Sequence, residues 1–471
     1  MHEPGNELFG YNRRDFLKSG SFTTLMTMLG GVELFAPSTP VLAEENKQAV
    51  RSIKVAVIGL GAWGREILTT LGRSEHAEVA AICDTYGAYL RRSGKLAPKA
   101  KLVEDYKGIL DDKEIKAVIV ATPTHKHKEI VLAALKAGKH VYCEAPLAGS
   151  IEDAREIALA AKAAKKQIFQ AGLQMRADPQ RLFLLPFIRT GALGKTVMAR
   201  AQWHKKTSWR TASSDPEQEK ALNWRLNKAT STGLIGEIGM HQIDQAGWFL
   251  NTHPVSVIGF GSLRDWTDGR DIPDTVQVVF EFPGGVRFFY DCTLANSFDA
   301  DYEVYYGSDA AVMLRENKAW MFKEVDSPLL GWEVYARKDI FSRFHSDGTI
   351  PTDAEMAHKE TGIALILGGS KQTSMDAKSA AEAAAANTPL RAALDTFLMN
   401  SSDISAAAED FAANYPGEDE AALLEQLAKT TRRPAAGYLE GFEALVTAIK
   451  TNEAIQSGQK ITFRPEWYQL A

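Results

Sequence analysis

The chain is poor in cysteine, nearly balanced in charge and free of long apolar runs. Cys83, Cys143 and Cys292 are its three cysteines in 471 residues. An odd number with no CxxC spacing excludes a disulfide framework and a CxxC metal or redox motif, and leaves them as small buried hydrophobes. Fifty-four Lys and Arg against 59 Asp and Glu give a net charge of −5, so no basic footprint marks a nucleic-acid partner. No internal repeat with a period of roughly 20 to 50 residues is present. With 45% hydrophobic residues the chain can bury ordinary cores, and its length suits two or three domains.

The N-terminal apolar stretch, Phe22 to Phe35, contains Glu33 and two glycines and falls short of the roughly 20 residues a membrane span needs. Arg13-Arg14 precede it, followed by Asp15, Phe16, Leu17 and Lys18, and the small-residue site Val41-Leu42-Ala43 follows it. This pattern predicts a twin-arginine signal peptide over residues 1–43. The expected partner is then the Tat export machinery, with a mature protein that is periplasmic or otherwise exported.

What is present next is a dinucleotide signature. The β-branched run Lys54–Ile58 leads directly into Gly59-Leu60-Gly61-Ala62-Trp63-Gly64 and a helix-compatible stretch to about Leu71. The glycines of GxGxxG serve a tight turn, close approach to a pyrophosphate, and packing of helix on strand, with the helix N-terminus toward the phosphates. A second run, Val79–Ile82, ends at Asp84, which follows Gly64 by 20 residues, the place for a carboxylate on the ribose hydroxyls. Such a carboxylate favours NAD, while Arg91 and Arg92 nearby keep NADP open. Further strand and helix units run from Ala117 to His127, through Ala137, over His140–Cys143 into Glu144-Ala145-Pro146, and on to Gly172. Alternation of this kind predicts a doubly wound parallel Rossmann sheet over residues 44–173, its ligand outside the carboxyl ends of the strands near Thr122-Pro123 and Glu144-Ala145.

After Gln174 the pattern changes to β-rich runs near Val197–Trp203, Val255–Leu263, Thr275–Phe282, Val286–Cys292, Glu303–Tyr306, Ala311–Leu314 and Ala319–Lys323, with Pro283-Gly284-Gly285 as a hairpin turn. Helical segments resume from about Ala354, include the alanine-rich run Ala377–Ala386, and reach Ile455, with a polar surface piece around Asn414–Glu418. Residues 174–471 are thus expected to form a second domain with a helical insertion at about 345–435.

The order GLGAWG, Asp84, ATPTHKH, AGKHVYCEAPLA and QAGLQMR resembles the Gfo/Idh/MocA oxidoreductases, over residues 50–340 and again over 437–463. The resemblance implies an α/β protein with an N-terminal Rossmann domain and a C-terminal α/β domain carrying an open, mostly antiparallel sheet. The outer face of that sheet commonly packs on another subunit in the family, so a homo-oligomer is expected. A tightly bound NAD would be held by Gly59, Gly61, Ala62, Trp63, Gly64, Asp84, Thr122, Pro123, His127, Glu144 and Ala145. The family's usual Glu-Lys-Pro appears here as Glu144-Ala145-Pro146, and a methyl group can neither relay a proton nor ease alkoxide charge.

A second motif, GLIGEIGMHQID over residues 233–244, resembles the family's Asp-x-Gly-x-His-x-x-Asp. It makes Glu237, His241 and Asp244 the catalytic candidates: on a helix, positions 237 and 241 share a face and 244 lies beside it, with His241 as the base. Gln174, Arg176, Trp209, Arg210, Trp224 and Arg225 are the substrate-binding candidates, since aromatic and guanidinium groups suit sugar ring faces and hydroxyl oxygens. His125 and His127 lack a third ligand nearby, so no metal is expected. Three functions fit. The first is an exported NAD(P)-dependent oxidoreductase acting on a secondary hydroxyl of a sugar or glycoside, with internally recycled cofactor. The second is a redox-neutral, NAD-dependent glycoside hydrolase, and the third a non-catalytic NAD-binding scaffold or sensor, suggested by Ala145.

Overall fold

The computed structural model describes residues 51–315, 318–324, 327, 388–417 and 419–470. The twin-arginine segment and the run Ala377–Ala386 lie outside the described residues.

The first unit is a six-stranded sheet. Its strands are β1 (Ile53–Ile58), β2 (Ala77–Cys83), β3 (Lys101–Val103), β4 (Ala117–Val120), β5 (His140–Cys143) and β6 (Phe169–Ala171). They lie in the order β3-β2-β1-β4-β5-β6, every pairing parallel. Parallel strands are covered on both faces, which is why β1, β4 and β5 read as continuous apolar runs rather than alternating ones. The crossover helices include α1 (Ala62–Leu71), α4 (His127–Lys136) and α5 (Ile151–Ala163), with the shorter α2 (Gly87–Ser93) and α3 (Lys107–Leu110) between. Ser150 caps α5, its side chain accepting from the Asp153 N–H at 3.1 Å.

After α6 (Pro179–Arg189) the chain enters a second sheet. It comprises β7 (Thr196–His204), β8 (Ser256–Ser262), β9 (Thr275–Glu281), β10 (Arg287–Thr293), β11 (Asp301–Gly307), β12 (Ala310–Arg315), β13 (Lys318–Lys323) and β14 (Ile461–Thr462). The order is β13-β12-β11-β7-β10-β9-β8-β14, antiparallel apart from the β7–β10 pair. Gly284 and Gly285 take φ of 74° and 82° in the β9–β10 turn, as expected for that hairpin. The β runs alternate because only one face is covered within the chain: Ala199, Ala201, Val278, Phe280, Phe288 and Tyr290 are buried, whereas Phe260, Phe289 and Phe322 on the opposite face are 62%, 40% and 48% exposed. Before β8 come α7 (Pro216–Leu222) and α8 (Met240–Leu250), the latter preceded by a π-helical turn, Ile235–Gly239.

The described part of the helical insertion packs on the nucleotide domain. It begins with α9 (Pro389–Asn414), which places Leu390, Leu394, Phe397 and Leu398 on one stripe against Val55, Val57, Tyr142 and Ile168 of the nucleotide domain. Phe397 meets Tyr142 edge-on with ring centres 5.7 Å apart, and Gln170 Nε2 donates to Ala393 O at 2.8 Å. The parallel sheet leaves that face uncovered near its centre, and α9, followed by α10 (Glu420–Ala428), closes it. The last helix, α11 (Tyr438–Ser457), packs against α5 on one side and β8 on the other, joining the two domains into one continuous core.

Phe397 is fully buried, so Phe397→Ala should remove about 3–5 kcal/mol of stability. Chemical denaturation followed by circular dichroism measures this, and a loss below about 1 kcal/mol would show that α9 is not part of the nucleotide-domain core.

Candidate active site

The strand-to-helix turn after β1 is built for close approach. Gly59 has φ of 96°, and a Cβ there would lie 2.5 Å from Ala121 O. A Cβ on Gly64 would lie 1.9 Å from Gly59 O, so only glycine lets α1 reach the strand. Gly61 is different: a Cβ there meets nothing within 4 Å. Its open side, with the N-terminus of α1 uncapped by any side chain, leaves backbone N–H groups for an anion such as a pyrophosphate. At the end of β2, Asp84 accepts the Leu60 N–H through Oδ2 and the Tyr86 N–H through Oδ1, both at 2.7 Å. Burial pushes its carboxyl above the usual range and these two N–H groups pull it back. A carboxylate has about four acceptor positions, so lone pairs remain for ribose hydroxyls. Arg65 lies over the Tyr89 ring at 5.1 Å, and Tyr86 packs edge-on against Tyr89.

A groove of about 1550 Å³ runs from Gly59, Gly61, Ala62, Trp63 and Asp84 past Thr122 and Pro123 to Trp209, Arg210, Trp224 and Arg225. The cradle at Gly61, the free helix terminus and Asp84 fit a dinucleotide. His127 does not reach it. Its ring is 1% exposed, Nδ1 2.9 Å from Pro146 O and Nε2 2.9 Å from Thr122 O, and burial drives its pKa down to about 4. It ties the two turns together behind the groove instead of touching a cofactor.

At the other end the expected constellation separates. Glu237 does not share its carboxylate with His241. Oε1 accepts from Thr232 Oγ1 at 2.9 Å, Thr232 N at 3.2 Å, Thr124 Oγ1 at 3.3 Å and Ser231 Oγ at 3.4 Å, and Oε2 lies 3.5 Å from Arg225 Nε. These donors sit on the loop before the π turn and on the nucleotide domain, so the side chain turns toward them. Asp244 is likewise committed, forming a two-pronged pair with Arg176 at 2.8 and 2.9 Å. Arg176 and Asp244 line a separate cavity of about 410 Å³ with Trp248, His253 and Glu443, not the groove. His241 is half-buried, and its ring makes no hydrogen bond among the described residues; burial lowers its pKa, with Asp244 opposing. Helical spacing places residues on a face, but side-chain partners are decided by where donors lie in three dimensions.

Glu144 is 6% exposed, and its Oε1 finds no partner among the described residues. Burial raises it to about 7, while Trp63, the Ala145 N–H, Tyr142 and Arg225 act to lower it. Ala145 packs against the core, and Gln174 follows β6 in a 3-10 turn, close enough to act on Tyr142. Trp209 holds a left-handed backbone, φ of 61°, a conformation that costs a non-glycine residue about 1–3 kcal/mol and clusters at functional sites. The Arg225 guanidinium lies 4.6 Å from the Trp224 ring centre and 6.0 Å from that of Trp209. Arg210 is held by Glu219 and Asp268 O and braces its loop. His125, edge-on to Trp224 at 6.2 Å, and the hydroxyls of Thr124, Ser231 and Thr232 escaped the sequence reading of the site. Thr124 and Glu237 are 113 residues apart, and nothing local announces such a contact.

Residues 53–172 match the profile of the oxidoreductase family with an NAD-binding Rossmann fold, and residues 186–312 that of the GFO/IDH/MocA C-terminal domain. Together they take in more than half of the chain. The chain belongs to the Gfo/Idh/MocA family. It is 29% identical over 236 residues to inositol 2-dehydrogenase 2 of Saccharopolyspora erythraea, covering 50% of this chain and 65% of that protein. It is 34% identical over 147 residues to the levoglucosan dehydrogenase of Pseudarthrobacter phenanthrenivorans, 31% of this chain and 36% of that one. The chain thus spans less than two thirds of the length of these curated relatives. Its fold is similar to a solved levoglucosan dehydrogenase in complex with NADH, with a TM-score of 0.60 at 16% identity over 88% of this chain and 100% of the other. As in that family generally, the Rossmann half of this Gfo/Idh/MocA protein is the NAD-binding half.

Gly61→Leu should fill the open side of the turn and weaken NAD binding by tenfold or more with the fold intact, because its Cβ meets no protein atom. Calorimetric titration with NAD alongside a thermal melt checks both halves; unchanged affinity would remove the cofactor from this turn.

Proposed function

We propose that this protein is an exported, NAD-dependent oxidoreductase that acts on a secondary hydroxyl of a sugar or glycoside. The observation that carries the reading is the single groove that joins the dinucleotide turn to Trp209, Trp224 and Arg225. Relatives named as inositol and levoglucosan dehydrogenases support a sugar or polyol hydroxyl as the reacting group.

When bound, NAD supplies the hydride acceptor. The chain does the rest. The backbone N–H groups at the start of α1 hold the pyrophosphate and Asp84 the ribose. Trp209 and Trp224 offer apolar faces to a sugar ring. His241, kept neutral by burial, takes the hydroxyl proton. Glu237, locked by its ring of hydroxyl and N–H donors, positions Arg225 at the junction of the two domains. Asp244 holds Arg176 and supports α8 from behind.

Two further features belong to the proposal. Arg13-Arg14 and Val41-Leu42-Ala43 support export by the Tat pathway and a mature start near Glu44. Where no free nicotinamide pool exists, the cofactor stays bound and is recycled in place. The outer face of the second sheet exposes Phe260 on β8, Phe289 on β10 and Phe322 on β13, and its occupant in this reading is a second copy of the chain.

Adding a panel of sugars and glycosides to the untreated protein should turn bound NAD into its reduced form, read by absorbance. Release of free aglycone without net reduction would favour the glycoside hydrolase instead, and no response to any member would favour the scaffold. His241→Ala should lower turnover by about 10²- to 10⁴-fold while cofactor stays bound. Wild-type turnover should fall on acidification only as pH drops below the ordinary histidine value of 6.5, since the neutral ring is the base and its pKa is lowered. Near-wild-type turnover in His241→Ala would remove it from the chemistry.

Phe289→Glu should convert an oligomer to a monomer in light-scattering measurements, and a wild type that is already monomeric would dismiss the second copy. Arg13→Lys with Arg14→Lys should leave precursor in the cytoplasm; unaltered export would dismiss the Tat route.

A further inference from the structure

At the domain junction two carboxylates are removed from water, Glu144 and Glu237, 6% and 8% exposed. A single guanidinium serves both. Arg225 Nε lies 3.5 Å from Glu237 Oε2, and its charge opposes the effect of burial on Glu144. The remaining donors to Glu237, from Thr124, Ser231 and Thr232, are neutral. The Arg225 side chain is nevertheless 42% exposed and lines the groove, its guanidinium carbon 4.6 Å from the Trp224 ring centre. Nε is its only nitrogen with a hydrogen-bond partner among the described residues, so the terminal N–H groups are free to donate into the groove.

The other cations along the groove are differently placed. Arg65 Nη1 donates to Leu60 O at 2.8 Å beside the dinucleotide turn, Arg210 is held by Glu219 and Asp268, and Arg92, Lys107, Lys126 and Lys220 line the groove without pairing with either carboxylate. Ala145 brings no charge.

We propose that Arg225 is a catalytic residue of this site: its terminal N–H groups donate to the oxygen of the sugar hydroxyl being oxidised and stabilise the negative charge that grows there. The inference rests on the oxidoreductase reading. In the balanced step the O–H proton goes to His241, the carbon-bound hydrogen leaves with its electron pair to oxidised nicotinamide, and a C=O bond forms. A guanidinium that stays protonated cannot take the proton itself, so charge stabilisation and proton transfer fall to different side chains. The contact with the Trp224 ring and the tie to Glu237 hold the fork at the groove before substrate arrives, which is the preorganisation that makes such a donor effective. Glu237 is a positioning residue for Arg225.

The test uses the full-length protein with NAD bound, Arg225→Gln, Arg225→Lys and Arg225→Ala, with D-glucose, myo-inositol and levoglucosan as probes. Single-turnover reduction of the bound nicotinamide should fall by about 10²- to 10³-fold in Arg225→Gln, with cofactor content and melting temperature close to wild type. Arg225→Lys should recover little, because lysine cannot reproduce the planar fork, and ethylguanidinium should partly rescue Arg225→Ala.

A second readout needs no turnover. The infrared band of the protonated Glu144 carboxyl, assigned by Glu144→Gln, should persist to higher pH in Arg225→Gln than in wild type, since a cation that favours the ionised form has been removed. Near-wild-type hydride transfer in Arg225→Gln on a probe the wild type oxidises, or an unmoved Glu144 midpoint, overturns the proposal while the oxidoreductase reading stands. If the wild type reduces with none of the probes, the reading itself is in question, and the infrared titration still decides whether Arg225 acts on the buried carboxylates.

Discussion

Everything at the reacting end depends on keeping charge out of water at the seam between two domains. A carboxylate buried without donors is far too costly to persist ionised, and Glu237 solves this with donors from both sides: Thr124 from the nucleotide domain, Ser231, Thr232 and Arg225 from the second. The same contacts that satisfy the charge fix the relative placement of the domains. Glu144 solves it only partly, with one oxygen left unpartnered and its pKa raised to about 7, and so keeps a proton within reach near neutral pH.

Much of the fold was legible because its signals are local. The step from a continuous apolar strand to GLGAWG and then a helix is contained in residues 54–71, and the roles of Gly59 and Gly64 follow from one close approach between neighbouring segments. Alternation in the second sheet was equally direct, since one covered face writes itself into every second residue. The packing of α9 on the nucleotide domain was not legible. An amphipathic stripe at Leu390, Leu394 and Phe397 says that a helix covers something, not what it covers. The correct surface is set by Tyr142 and Val57, more than 200 residues earlier in the chain.

The site shows the same division. Residue types were readable, and the residues of the dinucleotide turn share a groove with Trp209, Arg210, Trp224 and Arg225. Pairings were not: Glu237 with His241 and Asp244 beside them is what helical spacing offers, yet Thr232 and Arg176 present stronger partners, and Asp244 faces a different cavity. His127 was misplaced for a related reason. A histidine next to a cofactor turn can face the ligand or hold the turn from behind, and only burial between Thr122 O and Pro146 O decides.

In the proposed reaction one groove serves both dinucleotide and sugar, and hydride passes between them inside it. The most direct measurement is rapid-mixing absorbance of the NAD-bound protein with a reactive sugar carrying deuterium at the oxidised carbon. The account predicts reduction of bound nicotinamide with a primary isotope effect and deuterium recovered on its ring after denaturation. Substrate turnover that leaves the ring unlabelled, or a protein that binds NAD yet passes no hydride to it from any sugar, would contradict it.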